Sequence, residues 1–81
     1  MKDYHARLTF PEGKVNHQIL HDAELEFEIM FELKTDTDGN AENGVLELIA
    51  MAQNTLHWRK VKYWLIGQGV GVEWAEELLN S

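Results

Sequence analysis

Residues 24–34 read ELEFEIMFELK, and two sets of side chains alternate along this run. Leu25, Phe27, Ile29, Phe31 and Leu33 share one parity; Glu24, Glu26, Glu28, Met30, Glu32 and Lys34 share the other. Successive side chains of a strand point to opposite faces, so the pattern predicts an antiparallel strand with one buried and one wet face. A row of glutamates on the wet face also discourages edge-to-edge pairing. Glu and Leu favour helix locally, but periodicity outranks propensity as a signal.

The flanking segments are read against that strand. Tyr4, Ala6, Leu8 and Phe10 alternate with His5, Arg7 and Thr9, which predicts a first strand. Pro11-Glu12-Gly13-Lys14 is a turn, with Pro presetting φ and Gly supplying freedom. Val15 to His21 alternates weakly and is assigned to a second strand; a short helix is the alternative, because Val15, Ile19 and Ala23 are four apart. After an acidic loop, Val45, Leu48, Ile49, Ala52 and Leu56 line one face of a predicted helix, with Asn40 and Asn43 as alternative caps. The apolar phase then shifts to Trp58, Val61 and Leu65. That shift predicts a break at Gln53-Asn54-Thr55 and a second helix over 56–66, stopped by Gly67. Val72 to Leu79 is expected to be a last short helix.

The 81 residues are thus expected to form one domain. Residues 1–35 supply a hairpin or meander, 36–44 an acidic loop and 45–80 a helical part. The fold class is α+β: a small antiparallel sheet of two or three N-terminal strands covered by two or three C-terminal helices.

Charge is concentrated in the middle of the chain. The net charge is −7, and residues 22–47 alone carry nine acidic side chains against Lys34. Such a field repels nucleic acid and attracts cations or basic protein surfaces. Cysteine is absent, which excludes disulfides, thiolate metal sites and cysteine nucleophiles. Residues 1–20 contain no apolar signal core, and the longest uncharged stretch, Leu48 to Trp58, is too short to span a bilayer. A cytoplasmic protein without membrane contact is expected.

Several motifs invite chemistry. Asp36, Asp38, Asn40 and Glu47 stand at positions one, three, five and twelve of a segment that resembles the calcium loop of EF-hand proteins over twelve residues. The resemblance implies Ca²⁺ held by oxygen ligands. Ala41 replaces the glycine of the sharp turn, and Asn43 the apolar residue that meets a second loop. His17-Gln-Ile-Leu-His21 has the spacing of a zinc-protease motif but carries Gln18 where the general base belongs, so hydrolysis is unsupported. His57-Trp-Arg-Lys-Val-Lys-Tyr-Trp64 mixes bases and aromatics, yet it reads as an ordinary amphipathic helix with Trp58, Val61 and Leu65 inward. Residues 64–79 fit a helix-turn-helix frame, but Glu73, Glu76 and Glu77 give the would-be reading helix the wrong sign for DNA.

No catalytic constellation stands out, and a non-enzymatic binding module is expected. Its contact surface is assigned to Glu24, Glu26, Glu28 and Glu32, with Asp36, Asp38 and Glu42 beyond them. On a strand the glutamates would repeat about every 6.6–6.8 Å, close to the spacing of successive phosphates along one nucleic-acid strand. The expected partner is therefore the basic groove of a nucleic-acid-handling protein. In composition the chain matches small phage- or plasmid-borne inhibitors, anti-CRISPR proteins among them. A Ca²⁺-binding domain and a homo-oligomeric structural subunit are the alternatives, the latter because three Trp and three Phe are many for this length.

Overall fold

The structure, a computed structural model, describes residues 2–34 and 43–74. Strand β1 (Lys2–Thr9) forms where the alternation predicts it, with Tyr4, Ala6 and Leu8 buried and the residues between them exposed. The turn at Pro11–Gly13 closes through the Lys14 amide, which donates to the Pro11 carbonyl.

The next segment corrects two expectations. Residues 15–22 do not form a strand, and the long strand over 24–34 does not exist as one element. Helix α1 (His17–Phe27) takes most of both, and only Met30–Leu33 is extended, as β2. The helix starts at Asn16, whose side chain accepts a hydrogen bond from the Gln18 amide. Leu20 and Ala23 are buried and Phe27 half-buried, a spacing of three and four residues that makes one helical face. In this phase Leu25 points outward, 68% exposed. The helix ends at Glu28 in a left-handed conformation, which re-aims the chain so that Ile29 is buried.

Residues 45–52 are likewise not a helix. Val45–Ala52 forms β3, the inner partner of β1. Leu46, Leu48, Ala50 and Ala52 face the core, while Val45, Glu47, Ile49 and Met51 face away. The break at Gln53–Asn54 is found, and α2 (Thr55–Gly67) follows, capped by the Asn54 side chain accepting from the His57 amide. Trp58, Val61 and Leu65 are its buried face. Gly67 is the last helical residue, and the left-handed position belongs to Gly69. The Gly69 amide donates to the Ile66 carbonyl and the Val70 amide to the Leu65 carbonyl, with Leu65 and Val70 both buried, which is a Schellman stop. Where a third helix was expected the chain forms β4 (Gly71–Trp74); residues 75–79 of that expected helix lie outside the described ones. The helix-turn-helix frame laid over residues 64–79 is therefore broken at Gly71–Trp74, which is extended.

The result is a small α+β domain, an antiparallel sheet packed against two helices. The strand order is β2-β3-β1-β4 and every neighbouring pair is antiparallel. Strands and helices are interleaved rather than segregated. Strands β1 and β2 run parallel with β3 between them, and β3 and β4 run parallel with β1 between them. Each pair is joined by a helix, so the chain is two split βαβ units, the ferredoxin-like connectivity. Both helices cover the same sheet face. Between them and the sheet lie Tyr4, Trp58 and Trp74, with Tyr4 and Trp58 stacked at 6.0 Å and Trp74 set against both. The Tyr4 hydroxyl and Thr55 Oγ1 are hydrogen-bonded at 2.8 Å, fastening β1 to the start of α2.

Candidate protein-interaction surfaces

Among the described residues no buried side chain is polar or charged apart from the hydroxyl of Tyr4 and the indole N–H of Trp58, and no three His, Asp or Glu converge as metal ligands. His17 and His21 lie exposed one turn apart on α1. Of the calcium-loop residues, Asp36, Asp38 and Asn40 lie outside the described ones, and Glu47 sits in the middle of β3. Asp36, Asp38 and Glu42 of the expected contact surface also lie outside them.

The remaining acidic residues are not one row. Glu24 and Glu26 are on α1, Glu28 caps it, and Glu32 is on β2. The phosphate-like repeat fails with the strand that would have carried it. What forms instead is an acidic helix end. Glu24 and Glu26 fall in the last turn of α1 and Glu28 is its C-cap, with Asp22 in the middle of the helix; Glu24 is half-buried and the other three are exposed. No basic residue stands in the last turn. A helix C-terminus carries partial negative charge, so carboxylates there are unfavourable. Asp22 with Glu26 is also a like-charged pair one turn apart on the helix. The helix dipole thus opposes the carboxylates of this end, while Asp22, in the middle of the helix, accepts a hydrogen bond from Gln18 Nε2 at 2.8 Å.

One polar contact ties this end to the body of the domain. His57 Nε2 lies 2.7 Å from the Phe27 carbonyl oxygen, and its Nδ1 accepts from the Gln53 amide at 3.1 Å. A carbonyl only accepts, so the proton sits on Nε2 and the ring is neutral in this geometry.

The second surface is the sheet face that the helices leave open. It carries Asp3, His5, Arg7 and Thr9 from β1, all exposed, and Val45, Ile49 and Met51 from β3, all half-buried. Met30 and Glu32 of β2 join them, with Met30 60% exposed beside Met51. One row crosses the whole sheet. Arg7 is paired with Glu47 on one side and Glu73 on the other. The Lys34 amide donates to the Glu47 carbonyl, which extends the row. Lys34, Glu47, Arg7 and Glu73 line one open depression with His5. Sequence reading missed this row because it is assembled by register: its members come from four segments, and two of them, β3 and β4, were read as helix.

The same face bears on nucleic-acid binding. Four-stranded sheets that bind RNA stack bases on aromatic side chains of the open face. Here the aromatic residues of the strands, Tyr4, Phe31 and Trp74, have the parity of the helix-covered face, and the open face carries Asp3, Glu32, Glu47 and Glu73. On α2 the outward side holds Arg59, Lys60 and Tyr63, and Leu56, which was expected on an apolar helix face, is exposed as well. Lys62 lies 5.0 Å from the centre of the Trp74 ring, a cation–π contact within the fold. Among the described residues no helix is long and apolar enough to cross a membrane.

No family model matches the chain, and no curated protein matches it. Connectivity alone does not carry a function, since one fold hosts many.

Proposed function

We propose that this domain is a non-catalytic protein-binding module that offers the acidic end of α1 to a basic surface of a partner protein. The observation that carries this is the placement of Glu24, Glu26 and Glu28 at the helix end where their charge is least favourable. Residues kept against local stability are expected where function needs them. A partner supplying Lys and Arg would turn that repulsion into attraction and speed encounter. Proteins that handle nucleic acids carry such surfaces, and a domain of this size occupying one would act as a stoichiometric inhibitor, as small phage- or plasmid-borne inhibitors do. The mimicry is of charge, not of phosphate spacing.

The test is affinity capture from the source cell's lysate, run in parallel with the wild-type chain and with the Glu26→Lys/Glu28→Lys variant, and read by quantitative mass spectrometry. Basic proteins should be retained by the wild type, released by salt and lost with the variant. Retention of the same proteins by both chains would refute the acidic helix end as the contact surface.

A further inference from the structure

The row across the open sheet face reads, from one edge to the other, Lys34, Glu47, Arg7, Glu73: plus, minus, plus, minus. Reversing that order gives minus, plus, minus, plus. The row is therefore complementary to its own reversal at every position. From this geometry we infer that the open sheet face is a homodimer interface, on which a second copy of this chain docks face to face.

The symmetry follows from the row. A two-fold axis lying between the two sheets, parallel to the strands and over the β1–β3 boundary, reverses strand order and leaves each row at its own height. Lys34 then meets Glu73 of the second copy, and Glu47 meets its Arg7; both contacts occur twice. Val45 falls opposite Thr9 of the second copy, and Ile49 opposite its His5. An axis perpendicular to the strands would instead set like charges against each other. Sheets stacked this way keep their strands within about 30° of one another, which an in-plane two-fold allows. The apolar side chains of the face, Val45, Ile49, Met51 and Met30, flank the charged row and lose water in the contact.

The face is small. Its 24 strand residues cover about 16 Å² each, about 800 Å² over two copies before side-chain relief is counted. That is the scale of weak, transient association. The dimer is accordingly expected at high micromolar concentration and to depend on the charge match. The interface lies on the side opposite α1, so it is independent of the acidic helix end. Dimerisation would present two such ends at once, and failure of either idea leaves the other standing.

The test is sedimentation velocity from roughly 10 to roughly 500 µM, with far-UV circular dichroism as a check on folding. The wild-type chain should move from the 9.4 kDa monomer toward twice that mass. Arg7→Glu sets two glutamates against two glutamates, and Glu47→Arg sets arginines against arginines; each variant alone should weaken association about tenfold or more. Mixed together, the two variants restore opposite charges at all four positions, and a heterodimer should appear. The double variant Arg7→Glu/Glu47→Arg reads plus, plus, minus, minus, which again complements its own reversal, and it should dimerise like the wild type. That double variant decides the matter if a single one fails to fold. A wild-type chain that stays monomeric at every concentration, single variants that dimerise unchanged, or a mixture and a double variant that both remain monomeric would each overturn the inference.

Discussion

Reversing Glu26 and Glu28 to lysine is expected to raise the melting temperature of this domain. Both side chains are exposed at the C-terminal end of α1, where the helix itself contributes partial negative charge. Removing an unfavourable charge there and adding a favourable one is worth about 0.3–1 kcal/mol at each position. Glu26→Lys also converts a like-charged pair one turn apart, Asp22 with residue 26, into an opposite-charged one. The acidic member is N-terminal, the better orientation, and the conversion adds about 0.4–1 kcal/mol. The positions are neighbours, so the contributions will not add fully, and about 1–2 kcal/mol in total is expected. For a domain of this size that corresponds to roughly 5–12 °C. Thermal unfolding followed by circular dichroism at low salt measures it. The gain should shrink strongly near 1 M NaCl, where the screening length is about 3 Å. A melting temperature unchanged or lowered at low salt would show that these carboxylates are already satisfied within the fold. The electrostatic ground for reading them as a binding surface would then be gone.

Two glycines should respond to alanine with opposite signs. Gly44 has φ +78°, and a Cβ there would stand 2.5 Å from the Gly13 carbonyl carbon and 2.7 Å from the Lys14 amide nitrogen, both backbone atoms. Gly44→Ala should cost about 2–5 kcal/mol, read as a lower denaturation midpoint in urea. Gly67 lies in α2 with open space around it, so Gly67→Ala should raise the midpoint by about 0.5–1 kcal/mol. His57→Phe removes both ring hydrogen bonds and leaves the Phe27 carbonyl and the Gln53 amide without those partners. A loss of about 1–3 kcal/mol is expected, with faster amide hydrogen exchange in the last turn of α1.

Legibility in the sequence varied by segment, and the variation has a cause. Strand β1 was legible because its outward residues, His5, Arg7 and Thr9, are polar, so only period two fits. Helix α2 was legible because Trp58, Val61 and Leu65 are spaced three and four apart after a break in the apolar phase. Residues 24–34 and 45–52 satisfied two periods at once. Leu20, Ala23 and Phe27 fit a helix, while Leu25 to Leu33 fit a strand. Leu48, Ile49 and Ala52 fit a helix, while Leu46 to Ala52 fit a strand. The candidate surfaces followed the same division. The excess of carboxylates in the middle of the chain was visible, but not that three of them, Glu24, Glu26 and Glu28, gather at one helix end.

The sequence by itself determined the α+β class, the first strand, the amphipathic α2 after a break at Gln53-Asn54-Thr55, and the acidic middle of the chain. These rest on local signals: unambiguous periodicity, a shift of apolar phase and the count of charges. Only the tertiary structure decided the rest. Strand β3 is extended because β1 needs an antiparallel partner on its inner edge, and Leu46, Leu48 and Ala50 reach the core only from a strand paired in that register. Helix α1 runs through Glu24 to Phe27 because Leu20, Ala23 and Phe27 pack together against the body of the domain, a gain that outweighs the exposure of Leu25. The row of Lys34, Glu47, Arg7 and Glu73 exists only once four strands are in register, since hydrogen bonding between strands brings together charges that the chain keeps far apart.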